Sequence, residues 1–399
     1  MNVTVQKYGG SSVASAERIK NIAERIRKRV SEGTKIIAVL SAMGKTTDGL
    51  IKLSREISAD PDPRELDMLL TTGEQVSVSL LSMALIDMGI RSKSLNAYQA
   101  GIKTTSSFNE ARIKSINRNK LTDLLSEYDV LAITGFQGIT DSDELTTLGR
   151  GGSDTSAVAL AAYLGYNCEI YSDVAGIYTV DPRVYPKARK INTITYDEML
   201  EMAGLGSKVL HSRSVEIAKK FGITIYCASS FLNEQGSYVT GENKMIEQPV
   251  VTGLSIMENQ TQVSIKKLPA DYKLVKKLFE KVALEGLNVD MISIINTGDA
   301  LEISFTIVRE KKKHLDAALK KVFENLGSKW EIVYDSGFVK LSAVGIGMRS
   351  GIGVAADLFK ALKKIPIRLV TTSEIAISCL IEEKYKTEAV EALAKEFRL

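Results

Sequence analysis

Short β-branched runs and amphipathic stretches take turns along the first part of the chain. VTVQKYG, KIIAVLS, DVLAIT, EIYSDV and ITIYCA read as strands, and the stretch around Ala16 to Ser31 reads as an amphipathic helix. Alternation of this kind predicts an α/β sandwich. A polar, glycine-punctuated segment from Asn233 to Pro249 interrupts it and predicts a domain boundary near residue 245. Beyond it the pattern changes to a repeat. LVKKLFEKVALEGLNVDMIS with LEISFTIV is echoed, at a spacing of roughly 75 to 80 residues, by VAADLFKALKKIPIRLVTTS with EIAISCLIE. The shared order of strand, helix and two strands fits a ferredoxin-like βαββαβ module, with one sheet face for helices and an edge open to another copy.

Composition narrows the function classes. A chain of 399 residues with 44% hydrophobic content can build two or three domains with real cores. The net charge of +4 is spread along the chain, so no nucleic-acid partner is demanded, and Lys311 to Lys313 reads as a solvated helix face. Met1 to Lys7 lacks the apolar core of a signal peptide and no apolar run approaches a bilayer span, which predicts a cytoplasmic protein without a membrane partner. Cys168, Cys227 and Cys379 are isolated among apolar or small residues and are expected to be reduced packing thiols. With His211 and His314 the only histidines, neither a zinc site nor a Ser-His-Asp triad is expected; a metal would arrive as Mg²⁺ on a phosphate ligand.

Five stretches carry candidate chemistry. TTLGRGGSDTSA, residues 146–157, packs glycines, Arg150, Ser153 and Asp154 into a turn that opens a helix, an anion-binding corner in which Ser153 or Asp154 is expected to cap the helix. KYGGSS offers Lys7 as a point charge and Gly9 and Gly10 for close backbone approach to phosphate. In VLSAMGKTTDG, Gly44-Lys45-Thr46 imitates the end of a Walker A loop, but Val39 stands where the first glycine is needed, which excludes a P-loop. TTGEQVSVSLLSMAL sets Glu74 at a helix head, for capping or for an amine. SDVAGIYTVDPR supplies Tyr178 for stacking on a base and Arg183 for a phosphate, and Lys208 stands ahead of a later helix within reach of the same nucleotide. Read singly, each of the four motifs other than the excluded P-loop is matched by an ordinary turn, cap or structural loop.

The order and wording of KYGGSSV, TTGEQVS, GFQG, TTLGRGGSDTSA, SDVAGIYTVDPR and GSKVLHSRS resemble the aspartate kinase branch of the amino acid kinase family. VDMIS, GIGMRSGIGVAADLF and LVTTSEIAISCLI resemble its paired ACT modules. The resemblance implies an amino acid kinase α/β/α sandwich over 1–245 and a regulatory region over 250–399. The first ACT module is placed at about 263–330 and the second at about 338–399, with strand 250–258 paired into the second. It implies ATP-dependent phosphorylation of the L-aspartate side-chain carboxylate, the first step of lysine, threonine and methionine biosynthesis, with feedback by lysine or threonine.

By the same resemblance, Lys7, Gly9, Gly10 and Asp154 serve phosphoryl transfer. Ser41, Thr47, Glu74, Phe136, Arg150 and Ser153 hold aspartate, with Arg150 on its α-carboxylate and Glu74 on its α-ammonium. Ser172, Asp173, Gly176, Tyr178, Arg183 and Lys208 hold ATP, whose phosphates carry the Mg²⁺. Asp290, Met348, Ser373 and Glu374 are candidate effector positions, and a homodimer or higher homo-oligomer is implied. Two departures bear on regulation: LPADYKLVKKLF has bulky Tyr272 where a Pro-Gly turn is usual, and Ile352 replaces a proline. Open alternatives are a sister kinase acting on glutamate, acetylglutamate or UMP, and a non-catalytic ACT sensor. Met245 is a possible internal start for a small subunit.

Overall fold

The computed structural model describes residues 2–241, 249–323 and 330–399, so the boundary expected near residue 245 and Met245 itself lie outside the described residues. Two compact units are present. The first takes the residues up to Tyr178, then Lys190–Gly204 and Lys208 onward; the second takes Thr179–Arg189, Leu205–Ser207 and the residues from 249. Two short pieces that interrupt the first unit in sequence therefore belong to the second.

The first unit is built on an eight-stranded sheet. Its strands run in the order Thr193–Thr195, Ser237–Thr240, Ile225–Ser229, Cys168–Ser172, Val3–Tyr8, Lys35–Leu40, Val130–Thr134 and Ser92–Leu95. All neighbours are parallel except Ile225–Ser229 against Ser237–Thr240. Lys35–Leu40 and Val130–Thr134 are buried on both faces, the state that near-continuous apolar strands need. The helix Ala16–Ser31 starts where the Ser15 hydroxyl accepts the Arg18 N–H, and its Ile19, Ile22 and Ile26 pack with Tyr8, Ile36 and Leu40.

One stretch, Pro63–Asp87, is long and apolar enough by length and composition to cross a membrane, contrary to the expectation that none approaches that size. Half of it is buried in the unit, and Val78, Leu81 and Leu85 sit in the same core as Tyr8 and Leu40; this is a core helix pair. A second, four-stranded sheet orders Ile113–Ile116, Ile102–Thr104, Gln137–Ile139 and Leu145–Thr147, and carries the loops that face the cleft described below.

In the second unit both repeats share one antiparallel sheet: Asp290–Asn296, Ala300–Val308, Gly253–Pro269, Glu331–Val344, Ala376–Glu382 and Ile367–Thr372. The fusion is made by two long central strands. Gly253–Met257 pairs with Lys340–Val344; the register then shifts, and Thr261–Lys266 pairs with Glu331–Ser336. Helices Tyr272–Leu284 and Lys312–Phe323 cover one half around Ile265, Phe305 and Leu319. Val354–Ala361 and Lys386–Glu396 cover the other around Leu341, Leu358 and Val390, and Val180 from the Thr179–Arg189 piece is buried in that same core.

Candidate active site

The cleft of the first unit has a volume of about 840 Å³ and is lined, among others, by Lys7, Gly10, Ser41, Thr47, Glu74, Phe136, Arg150, Ser153 and Asp154. Residues scattered over nearly 150 positions of sequence thus meet in one place. Lys7 arrives near the end of the central strand Val3–Tyr8, and Asp154 from the first turn of the helix Gly152–Leu164. Their side chains, 12% and 13% exposed, form an ion pair at 2.6 Å. Gly9 stands beside them: a Cβ there would lie 3.3 Å from Lys7 Nζ, so the bare backbone leaves the ammonium open on that side.

The helix after the glycine turn begins differently from the expectation. Its N-cap is Gly151, in the left-handed region at φ 67°, and no side chain caps it. Asp154 is drawn away by Lys7, and Ser153 lines the cleft. Gly149 O takes the Gly152 N–H at 3.0 Å, which leaves the next N–H groups, of Ser153 and Asp154, open to an anion, the property that suits this end of a helix for carboxylate or phosphate. Gly151 is required on steric grounds as well, since a Cβ would fall 2.2 Å from His211 Cγ. Burial holds the His211 imidazole below its ordinary pKa. Phe136 also takes a positive φ of 69°, with its N–H donated to Ser156 Oγ at 3.1 Å.

Glu74 does not cap its helix. Its Oε1 accepts the Ala42 N–H at 3.0 Å, while Oε2 is buried with no hydrogen-bond partner. Burial pushes this carboxyl up to about 7. A carboxylate in that condition is waiting for a cation. Arg150, exposed on the segment just before the helix, offers the complementary charge in the same cleft.

Ser172 and Asp173 stand where strand Cys168–Ser172 ends, flanked by the ends of Val3–Tyr8 and Ile225–Ser229. Ser12 Oγ donates to Ser230 Oγ at 2.8 Å, Ser230 Oγ to Ser172 O at 3.0 Å, and the Gly9 N–H to Tyr171 O at 3.2 Å, so the three carboxyl ends form one floor. That is where open α/β sheets bind ligands. Gly176 is buried, and the next N–H, of Ile177, bonds Ser237 Oγ at 2.8 Å; Tyr178 is half-buried and Lys208 is exposed ahead of the helix Ser212–Phe221. Arg183 falls in the piece assigned to the second unit, where its guanidinium makes a two-pronged ion pair with Asp181 at 3.0 and 2.7 Å. In the second unit Asp290 is ion-paired with Lys340, and Glu374 with Arg349 at 3.0 Å; Met348 packs against the core beside Arg349, and the Ser373 N–H bonds Ala376 O at 2.8 Å. Among the described residues no cluster of three His, Cys, Asp or Glu side chains has metal-binding geometry.

Asn109 and Thr147 line the cleft, and Asp67 and Arg213 bond the loops around it, although no motif in the sequence marks them for this site. Arg213 was visible inside GSKVLHSRS but had no assigned task. Asp67 stands seven residues before Glu74 with nothing in its local sequence to mark it.

The family model for the amino acid kinase family matches residues 2–229, and one for the ACT domain matches 341–397. An aspartokinase from Bacillus sp. (strain MGA3) is 45% identical over all of this chain and 98% of its own length. The aspartokinase of Geobacillus stearothermophilus is 43% identical, again over 100% of this chain and 98% of its own. Among solved structures, E. coli aspartokinase III in complex with aspartate and ADP superposes with a TM-score of 0.82 over 100% of both chains, at 22% identity, a likeness of fold. With the fold, the ordered blocks and full-length relatives in agreement, the chain belongs to the amino acid kinase family and, within it, to the aspartokinases.

Proposed function

We propose that this kinase transfers the γ-phosphoryl group of ATP to the side-chain carboxylate of L-aspartate, giving 4-phospho-L-aspartate and ADP. The observation that carries the choice of an acceptor with a free α-ammonium is the buried, unpartnered Oε2 of Glu74, and the full-length aspartokinase relatives favour aspartate over glutamate within that class. An α-ammonium group satisfies it; UMP has no amine, and the acylated nitrogen of acetylglutamate has no charge. Arg150 and the uncapped helix start receive the α-carboxylate, with Ser41, Thr47, Phe136 and Ser153 closing around the rest.

The acceptor carboxylate is ionised at neutral pH, so no general base is required. Rate then comes from positioning and from charge stabilisation of an in-line transfer. Lys7 meets the charge on the transferring group, the backbone of Gly9 and Gly10 cradles its oxygens, and Asp154 holds Lys7 in place. Ser172, Asp173, Gly176, Tyr178 and Lys208 hold the nucleotide. Mg²⁺ carried on the nucleotide phosphates supplies neutralising charge, in keeping with an aspartate already committed to Lys7.

The catalytic region corresponds to the first unit and the ACT pair to the second, which serves as a regulatory platform and dimer contact. E. coli aspartokinase III has been captured with lysine in a T-state; lysine or threonine is the effector proposed here. Asp290, Met348, Ser373 and Glu374 are the positions to test, the first already engaged by Lys340. The three buried free thiols, with burial pushing Cys379 up to about 12, suit a reducing, cytoplasmic setting. The test is ADP release with a panel of acceptors, repeated with lysine and threonine. Turnover with aspartate and none with UMP or acetylglutamate is expected; the reverse overturns the assignment.

A further inference from the structure

Two loops face the cleft from the four-stranded sheet. One runs through Asn109 between Ile102–Thr104 and Ile113–Ile116, and the other follows Leu145–Thr147 and carries Gly149, Arg150 and Gly151. They touch each other directly. The Ala111 N–H donates to Thr147 O at 2.9 Å, and a Cβ on Gly149, at φ 75°, would lie 2.9 Å from Asn109 O. Asn109 itself takes a positive φ of 66°, which asparagine tolerates better than most residues, and the position of its loop still needs outside support.

That support comes from two charged residues outside both loops. Asp67 is fully buried on the helix Pro63–Leu70; its Oδ2 accepts the N–H of Asn109 at 2.9 Å and of Thr147 at 2.8 Å, and its Oδ1 accepts the Thr147 hydroxyl at 2.6 Å. Arg213, on the helix Ser212–Phe221, donates to Leu148 O at 2.5 Å and to Ala111 O at 3.0 Å. The carboxylate thus gathers one amide from each loop, and the guanidinium one carbonyl from each. Hydrogen bonds to charged groups are shorter and stronger than neutral ones, and both of these bridge the same pair of segments.

We propose that Asp67 and Arg213 are positioning residues that clamp the two loops together and so fix Arg150 and Asn109 at the acceptor side of the cleft. The proposal rests on the assignment of that side to aspartate. Because the clamp works by geometry, Asp67→Asn keeps it: an amide oxygen still accepts both N–H groups, and the amide NH₂ can donate to the Thr147 hydroxyl. Asp67→Ala leaves three donors unmet.

The experiment is steady-state kinetics of Asp67→Ala, Asp67→Asn, Arg213→Met and Arg213→Lys in the full chain, with hydrogen exchange of the 107–112 and 147–151 backbone in the same samples. Expected are a KM for aspartate raised roughly 10-fold or more in Asp67→Ala and Arg213→Met, a KM for ATP within about two-fold, and values near wild type in Asp67→Asn. Exchange at the Asn109 and Thr147 amides should accelerate roughly 10-fold in Asp67→Ala and stay slow in Asp67→Asn. The clamp is overturned if Asn is as damaging as Ala, if both KM values rise together, or if exchange is unchanged. Should the wild type fail to use aspartate at all, the acceptor assignment falls, and the exchange data still decide the clamp.

Discussion

Each unit of this molecule contains a lysine–aspartate pair whose lysine is largely buried, Lys7–Asp154 in the first and Lys340–Asp290 in the second, and these two are placed differently. Lys7 and Asp154 meet at the end of a central strand, both about one-eighth exposed, on the wall of a cleft. Lys340 lies within a central strand of the other sheet, 1% exposed, and reaches an Asp290 whose side chain is 43% exposed. The same charges therefore serve different ends. At a strand end the ammonium can face an incoming phosphoryl group. Within a sheet it is turned to its carboxylate partner, and the pair ties the edge strand Asp290–Asn296 to the central one.

Substitutions at each pair, and at Glu74 beside the first, test this difference. Lys7→Ala should depress kcat by about 10²–10³-fold or more, because its charge is used most in the transition state; retention of turnover would equate the two lysines. Glu74→Ala should raise the KM for aspartate roughly 30-fold or more with the KM for ATP little changed, since only the acceptor meets that carboxylate. Asp290→Ala should leave effector-free kcat within about two-fold and lower the denaturation midpoint of the second unit. The cost is about 2 kcal/mol, less than for a fully buried pair because Asp290 is half exposed. Lysine inhibition, if Asp290 contributes to the effector site, should weaken in the same variant.

A smaller effect concerns stability. The folded-state pKa of Glu74 is raised to about 7, so the folded chain favours the protonated carboxyl. Its contribution is fully present below the ordinary carboxyl range and is lost as pH rises through about 7. Glu74→Gln should therefore match wild type near pH 4 to 5 and melt a few degrees higher at pH 8, read by thermal unfolding.

Much of the candidate site was legible because the residues that line its cleft sit on local motifs at strand ends and helix starts. Lys7, Gly9, Glu74, Arg150 and Asp154 each stand in a short run whose glycines or helix start leave a signature. Other features depend on which distant segments meet. Asp67 looks like any acidic residue on a surface helix until Asn109 and Thr147 are folded against it. The expectation that Ser153 or Asp154 caps its helix failed because Lys7, from a strand nearly 150 residues earlier, claims Asp154. The stretch SDVAGIYTVDPR reads as one loop, yet it is divided after Tyr178, and Val180 is buried in the second unit's core. The repeat was visible, but not the single six-stranded sheet, since the register shift between Met257 and Gln260 that lets one strand serve both halves leaves no periodic mark.

Ionised Glu74 is proposed to receive the ammonium of aspartate. The most direct test of this role is the pH dependence of kcat/KM for aspartate in wild type and Glu74→Gln. Wild type should rise about tenfold per pH unit below about 7 and level off above it, while Glu74→Gln stays low without that inflection. An inflection near 7 that persists in Glu74→Gln, or none in the wild type, would contradict it.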